Sequence, residues 1–236
     1  MKKRDLEILK SLEKFKVLSS GQIAEMHFKE NAYPQVTANR VLKRLRNSQH
    51  VIANTDRSFQ QYLYFVNPAP IKVSSQKIDH YLMIGQGFID MQKYSNINNY
   101  QIEPKIENAD FIPDVKASWL DNEWYIEFQN SLYSTKQLYE KLNRYVCYYN
   151  KGLWKNERVL IVGKINMKFN PDDYPFKVKQ VHSIDDLRDT IKTFKEMKYS
   201  SFKGNVRQLT KTPVSFSNTV TEPVIKSQNG GIKFSF

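Results

Sequence analysis

Hydrophobic periodicity in the first 70 residues predicts three short helices followed by a hairpin. Apolar side chains recur every three to four residues in three segments, 4–15, 22–28 and 35–48, and this spacing is typical of amphipathic helices. Either Ser19 or Ser20 can cap the second segment. Two apolar runs separated by a polar turn follow, at 51–54 and 61–66. Three helices followed by such a hairpin are the element order of a winged helix-turn-helix.

Beyond residue 73 the pattern changes to helices and strands in alternation. Helices are predicted at 76–94, 135–150 and 183–197, and strands at 100–106, 158–165 and 176–181. The segment 158–165 is apolar on both faces, which is typical of a buried parallel strand. The sequence therefore predicts an α/β protein of the α+β kind. Its predicted parts are two domains, 1–70 and 73–200, and a flexible basic tail, 201–236.

The stretch 111–131 is predicted to be a β-hairpin with polar side chains where a core strand would have apolar ones. Its arms are rich in Val, Ile, Trp, Tyr and Phe, and the Asp121-Asn122 pair between them is turn chemistry. Side chains alternate between the faces of a strand, so Glu127 and Gln129 share one face. The hairpin is therefore expected to present a polar cluster.

The register of that hairpin decides which polar groups meet. A two-residue turn at the predicted position sets Lys116 opposite Glu127 and Asp114 opposite Gln129. The Asp114 and Glu127 carboxylates are then diagonal neighbours, about 7–8 Å apart, and can share a divalent cation. The alternative is the solvated face of an antiparallel hairpin, with Lys116 and Glu127 as an ordinary ion pair.

Positive charge is concentrated at the two ends of the chain. The formal net charge is +12; residues 1–70 carry twelve Lys or Arg against six Asp or Glu, and residues 201–236 carry five against one. The middle of the chain is nearly neutral. A basic module beside a neutral one favours a polyanionic partner, most simply nucleic acid.

Cysteine usage and hydropathy indicate in which cellular compartment the protein is expected. Cys147 is the only cysteine, which excludes an intramolecular disulfide and a zinc site built from several thiolates. The chain begins with a basic, amphipathic segment without the apolar core of a signal peptide, and no apolar run approaches the length of a membrane span. The sequence predicts a soluble, cytoplasmic protein without a membrane partner.

The third predicted helix carries a basic face opposite its apolar stripe. In a winged helix this element enters the major groove, with Thr37, Arg40, Lys43 and Arg44 near bases and phosphates and with Arg57 on the wing. Double-stranded DNA is therefore the predicted partner. A winged helix also serves in protein docking or in homodimer formation, and the sequence does not separate these uses.

Two motifs carry a resemblance to known families. Pro113-Asp114 on one strand and Glu127-Phe128-Gln129 on the next, in this order of elements, resemble the PD-(D/E)XK nuclease core. The winged helix followed by this core more closely resembles the replication-relaxation family, which is related to the MobC class of plasmid relaxases. By that resemblance the family's positions are occupied by Glu103, Asp114, Glu127, Gln129, Lys141 and Tyr145. The resemblance covers about residues 5–190.

The resemblance implies a protein that binds a plasmid origin and nicks DNA with a metal ion. Asp114 and Glu127 would bind Mg²⁺ or Mn²⁺, and Glu103 would add a ligand or an outer contact. Gln129 departs from the pattern, because nuclease relatives carry Lys there and an amide supplies no positive charge.

Lys116 is expected to supply the ammonium that Gln129 lacks, so that it stabilises charge on the phosphate. The predicted catalytic set is Asp114, Glu127, Gln129, Lys116 and Lys141. The rival hypothesis is a non-catalytic DNA-binding regulator or accessory protein of plasmid replication, transfer or transcription. In that hypothesis the nuclease-like domain serves for dimerisation.

Overall fold

The computed structural model describes residues 1–56, 60–129, 135–163 and 170–197. Residues 1–188 form one compact unit, and residues 189–236 form a second. Helices and two sheets together confirm the predicted α+β class. The predicted domain limits stay predictions, and both Arg57 and the predicted tail lie outside the described residues. Within those ranges no helix is both long and apolar enough to cross a bilayer.

Three helices and a three-stranded antiparallel sheet form the N-terminal part. The helices are α1 (Lys3–Phe15), α2 (Ser20–Phe28) and α3 (Pro34–Asn47), and the strands are β1 (Leu18–Ser19), β2 (Val51–Asn54) and β3 (Leu63–Val66). β3 pairs with β1 on one side and with β2 on the other. The three predicted helices and two predicted strands are confirmed. β1 has only two residues, too few to leave a periodic signal in the sequence.

Capping and apolar stripes explain where these helices lie. The Ser19 hydroxyl accepts a hydrogen bond from the Gln22 amide at 3.2 Å, so α2 begins directly after a serine cap. Pro34 occupies the first turn of α3, where its missing N–H leaves no bond unmade. The core of this part contains Ile8, Leu12, Phe15, Ile23, Leu42, Leu45 and Phe65. The opposite face of α3 is left to solvent.

A mixed five-stranded sheet with two long helices follows. The helices are α4 (Ile78–Tyr94) and α5 (Thr135–Asn150), and the strands are β4 (Ile97–Ile102), β5 (Val115–Trp119), β6 (Asn122–Gln129), β7 (Arg158–Gly163) and β8 (Val178–Val181). The strand order is β4-β5-β6-β7-β8, antiparallel from β4 to β6 and parallel from β6 to β8. The predicted parallel strand is thus confirmed as β7. Residues 188–197 are helical.

The helices α4 and α5 cover opposite faces of this sheet. Alternation along β6 places Phe128 on one face and both Tyr125 and Glu127 on the other. Gly87 of α4 lies against the Phe128 ring. Tyr125 belongs to a buried cluster with three side chains of α5, Leu138, Leu142 and Tyr145. Glu127 therefore projects from the sheet beneath α5.

The hairpin is confirmed, but its register differs from the predicted one. Leu120 and Asp121 form the turn, both with positive φ (52° and 58°), as a type I′ two-residue hairpin turn requires. Trp119 consequently pairs with Asn122, and Lys116 lies opposite Tyr125. The predicted pairs of Lys116 with Glu127 and of Asp114 with Gln129 are therefore wrong by two residues. A side-chain bond from Asn122 Nδ2 to the Leu120 carbonyl, 2.6 Å long, holds the observed turn.

The first strand of this sheet also begins and ends earlier than predicted. β4 ends at Ile102 instead of continuing to residue 106, so Glu103 lies beyond the strand and not near its middle. Glu103 has a φ of 47°, which is incompatible with a continuing strand. Its amide still donates to the Asp114 carbonyl at 2.9 Å. The chain therefore turns away at Glu103 while its backbone stays beside Asp114.

Close packing of α4 on β6 explains why a glycine occurs inside that helix. A Cβ atom added at Gly87 would lie 2.3 Å from Phe128 Cζ, and Phe128 is buried. Gly87→Ala is therefore expected to lower the free energy of unfolding by about 1–3 kcal/mol, since overpacking a core has a cost of that order. Urea denaturation followed by tryptophan fluorescence measures this change.

Gly85→Ala is the matched control, two residues earlier on the same helix. A Cβ atom there would meet a methyl group of Leu18 at 3.0 Å, a milder contact than the 2.3 Å at Gly87, and alanine gains up to about 1 kcal/mol of helix propensity over glycine. We expect its stability to stay within about 1 kcal/mol of the wild type. Equal stabilities for the two variants would contradict the close approach of α4 to Phe128.

Candidate functional site

The exposed face of α3 carries two of the predicted DNA-binding side chains in full view of solvent. Arg40 and Lys43 are exposed, and neither has an ion-pair partner among the described residues. Thr37 is half-buried, and its hydroxyl donates to the Tyr33 carbonyl at 2.9 Å. Arg57, predicted on the wing, lies outside the described residues. The structure thus places Thr37, Arg40 and Lys43 on one helix surface.

Arg44, on the same helix, is held by a buried carboxylate. Its two terminal nitrogens donate to the Asp5 oxygens of α1 at 3.0 and 2.6 Å, and Asp5 is only 1% exposed. The guanidinium hydrogen bond holds the pKa of Asp5 below its usual range, although burial opposes that shift. Arg44 therefore ties α3 to α1. Asp5 is a residue that the sequence analysis missed, although it lies on the stripe of α1 that also carries Ile8 and Leu12.

Asp114 and Glu127 are immediate neighbours at the open end of the hairpin. The Asp114 amide lies 3.4 Å from Glu127 Oε2, and Asp114 Oδ2 accepts a hydrogen bond from the Phe128 amide at 2.7 Å. The observed register causes this, because a shift of two residues carries Asp114 from Gln129 to Glu127. The observed register thus makes Asp114 a direct neighbour of Glu127, so the two residues that the sequence analysis singled out do lie together.

Glu127 is almost completely buried and is capped by two side chains of α5. It is 4% exposed; Lys141 Nζ donates to Oε2 and the Tyr145 hydroxyl donates to Oε1, each at 2.5 Å. Burial, reinforced by the charge of Asp114, raises the pKa of Glu127 to about 7, against the opposing effects of Lys141 and Tyr145. Burial therefore favours the protonated form of Glu127. The alternative of a solvated hairpin face is wrong for this residue.

The pKa of Asp114 is shifted in the opposite direction in the same cluster. Burial alone would raise the pKa of Asp114, but the contact with His80 and the charge of Lys141 outweigh burial and hold that pKa below its usual range. His80 Nε2 lies 3.4 Å from Asp114 Oδ1. The sequence analysis missed His80, because nothing in its local pattern links the first turn of α4 to a residue 34 positions later.

Gln129 contributes an unused oxygen to this region. The side chain is 5% exposed, and its Oε1 has no hydrogen-bond partner in the part of the chain that the structure describes. It lines a cavity of about 20 Å³, which is room for one water molecule, together with Glu127, Gln137, Lys141 and Tyr145. Leaving a buried acceptor unpaired has a cost, and a water molecule in this cavity would satisfy the Gln129 oxygen.

Two predicted site residues lie apart from this cluster. The Lys116 ammonium lies 5.6 Å from the Tyr125 ring centroid, so Lys141, not Lys116, is the ammonium on Glu127. Glu103 pairs with Lys16 and accepts from the Tyr81 hydroxyl at 2.9 Å. Within the described ranges no three His, Cys, Asp or Glu side chains are grouped so that they could hold a metal ion. Glu103 is thus not brought together with the carboxylate pair.

These features define a class of protein. It is an α+β protein in which a helical part with an exposed basic face precedes a mixed sheet, and in that sheet a buried glutamate beneath a lysine lies beside a half-buried aspartate. The chain belongs to the replication-relaxation family, whose family model matches residues 9–163. The match extends from within α1 to the end of β7 and includes α3, Asp114 and Glu127. No curated protein matches the chain. Membership confirms the family named from the sequence and indicates a role in plasmid replication or relaxation.

Proposed function

We propose that this protein binds double-stranded plasmid DNA through the exposed face of α3. The observation that carries the proposal is a pair of exposed cations, Arg40 and Lys43, without ion-pair partners among the described residues, on a helix whose other face is buried in a well-packed core. The helices and the β2–β3 pair have the element order of a winged helix, in which this helix lies in the major groove. Phosphates attract such cations and release counterions when they bind.

The charge of the surrounding chain supports this partner. Residues 1–70 carry twelve basic against six acidic residues, and one of the basic residues, Arg44, is already matched by Asp5. An excess of positive charge therefore remains in residues 1–70. Electrostatic attraction to a polyanion then positions the helix before bases are read.

Arg40→Ala combined with Lys43→Ala is expected to flatten the salt dependence of DNA binding. Each phosphate contact contributes about 0.9 to the slope of log K against log salt concentration, so removing two should reduce the slope by about 2. Fluorescence anisotropy with a labelled fragment of the native origin region, over a series of salt concentrations, measures this slope.

Lys192→Ala is the control for that experiment, since it removes an exposed charge from the helical segment 188–197. It should leave the slope unchanged. Arg44→Ala is unsuitable, because it would leave the buried Asp5 carboxylate without its ion-pair partner. A change in binding could then result from a loss of folding stability. An unchanged slope in the double variant would exclude α3 as the DNA interface.

The Asp114–Glu127 pair supports a second function, metal-dependent nicking of DNA in a PD-(D/E)XK-like core. Two carboxylates and the Gln129 side-chain oxygen offer hard oxygen ligands, and Mg²⁺ or Mn²⁺ is commonly held by one or two carboxylates with water in the remaining positions. A bound cation would supply positive charge and an activated water at the phosphate. Lys141 would stabilise negative charge developing there, and His80 and the Phe128 amide would orient Asp114.

The burial of Glu127 beneath α5 favours the rival function, a DNA-binding regulator without catalysis. Both of its oxygens already accept hydrogen bonds from α5, and a substrate phosphate would have to displace them. Incubation with supercoiled plasmid carrying the native origin, with and without Mn²⁺, separates the two functions. Metal-dependent open circles support nicking. Binding without any conversion supports the regulator.

A further inference from the structure

Two large apolar side chains stand exposed at the start of α3. Tyr33 is 74% exposed and Val36 is 55% exposed, among the most exposed large hydrophobic residues that the structure describes. Tyr33 precedes the helix and Val36 lies in its first turn, which begins with Pro34. A single exposed apolar residue needs no explanation, but two at one place on a helix mark a contact surface.

Helical geometry places these residues on the same surface as the cations. Residues three or four apart are neighbours on a helix, so Tyr33, Val36 and Arg40 follow one another along one stripe. Thr37 lies beside them, with its hydroxyl turned back to the Tyr33 carbonyl at 2.9 Å. That bond uses the hydroxyl hydrogen within the helix, and the exposed Gln35 of the same turn donates its amide to Asn39 at 3.0 Å, away from the stripe. The stripe therefore changes from apolar at its start to basic one turn later.

The positive charge of Arg40 and Lys43 indicates which kind of molecule Tyr33 and Val36 contact. Arg40 and Lys43 favour a polyanion, and the apolar groups beside them need an apolar surface close to its charged backbone. The major groove of DNA provides this combination, because the 5-methyl group of thymine is the apolar feature on its base edges. The N-terminal residues of a recognition helix are the ones that reach those edges.

We propose that Tyr33 and Val36 form a base-reading surface that selects thymine methyl groups, while Arg40 and Lys43 hold the flanking phosphates. This inference rests on the proposed binding of DNA through α3 and adds the chemical feature that the helix recognises. Neither Tyr33 nor Val36 carries a hydrogen-bonding side-chain group that distinguishes purine edges as a bidentate amide or guanidinium does. Any discrimination that Tyr33 and Val36 supply therefore comes from apolar contact with methyl groups.

The test compares thymine with uracil, which lacks only the methyl group. A fragment of the native origin region is synthesised with thymine or with uracil throughout, and its affinity for the full-length chain is measured by anisotropy. We expect the uracil fragment to bind the wild type about three- to fivefold more weakly for each thymine methyl group that the helix touches. In Val36→Ala the ratio of the two affinities should move towards one, because the contacting side chain is shorter.

Val73→Ala is the matched control, since it shortens an exposed valine outside α3, and it should preserve the wild-type ratio. Equal affinities of the wild type for the two fragments, with a salt slope that still depends on Arg40 and Lys43, would overturn the recognition of methyl groups and leave DNA binding in place. A salt slope that does not change when Arg40 and Lys43 are removed would overturn both the recognition of methyl groups and DNA binding through α3. A Val36→Ala variant that changes only the monomer–dimer balance in sedimentation would assign the surface to a protein partner.

Discussion

Glu127→Gln is expected to raise the free energy of unfolding by about 3 kcal/mol near pH 8 and to change it little near pH 4. The folded-state pKa of Glu127 is raised from 4.5 to about 7. Below about pH 4 both states hold the proton, and between the two pKa values the unfolded state releases it first, so stability falls as pH rises. The loss is complete above about pH 7 and amounts to about 1.4 kcal/mol for each pKa unit. Glutamine has the shape of the neutral acid and never ionises.

Asp114→Asn is the control with the opposite sign. The pKa of Asp114 is held below its usual range, so its charge stabilises the fold above the unfolded pKa, and that stability disappears as pH falls through the lower folded value. The asparagine variant should therefore be less stable than the wild type near neutral pH. Urea denaturation at several pH values, followed by the fluorescence of buried Trp119 and Trp124, measures both variants. A Glu127→Gln protein less stable than the wild type near pH 8 would mean that Lys141 keeps Glu127 ionised.

Alternation along the hairpin could be predicted from the sequence, and its turn could not. Side-chain direction depends only on parity, so the assignment of Asp114, Glu127 and Gln129 to one face survives a register shift of two residues. The position of the turn depends on small energetic differences between two candidate residue pairs. Both Leu120-Asp121 and Asp121-Asn122 contain turn-forming chemistry, and the bond from Asn122 to the Leu120 carbonyl decides between them only in three dimensions.

Partners that lie far apart in sequence account for most of what the sequence analysis missed. Asp5 and Arg44 are 39 positions apart, and Lys16 and Glu103 are 87 apart. Periodicity identifies the face of a helix but not the charge that covers it, so Arg44 looked equivalent to Arg40. The structure separates them, because only Arg44 meets a buried carboxylate among the described residues.

The burial of Glu127 could not be predicted from the sequence either, because it depends on a helix packed over the sheet. An antiparallel hairpin alone can have one solvated face, which is why the sequence left that alternative open. The parallel pairing of β6 with β7 extends the sheet, and α5 closes over the polar face with Leu138, Leu142 and Tyr145. Lys141 and Tyr145 then reach Glu127 from the helix. A pattern confined to two strands contains no information about that helix.

Lys141→Met is expected to reduce Mn²⁺-dependent nicking by about 10²–10³-fold, provided that the protein nicks DNA, because a single group that stabilises transition-state charge contributes that much. Methionine keeps most of the length of the side chain without the charge. Lys116→Ala should change the rate by less than about threefold, since its ammonium lies over the Tyr125 ring and not on Glu127. Conversion of supercoiled plasmid to open circles over time measures both variants, and Lys151→Ala, at an exposed ion pair with Asp110, is the surface control.

The two lysine variants distinguish the predicted register from the observed one. A large loss of nicking rate in Lys116→Ala, with little effect of Lys141→Met, would mean that Lys116 supplies the catalytic ammonium. That result would contradict the site geometry. Glu127→Gln adds an independent constraint, because it should abolish nicking while raising stability near pH 8. If a variant has a higher free energy of unfolding and no longer cleaves DNA, its loss of cleavage is not caused by unfolding. Conversely, an active and stabilised Glu127→Gln protein would show that Glu127 neither holds the metal ion nor moves a proton, and would leave Asp114 as the only carboxylate of the pair with a catalytic role.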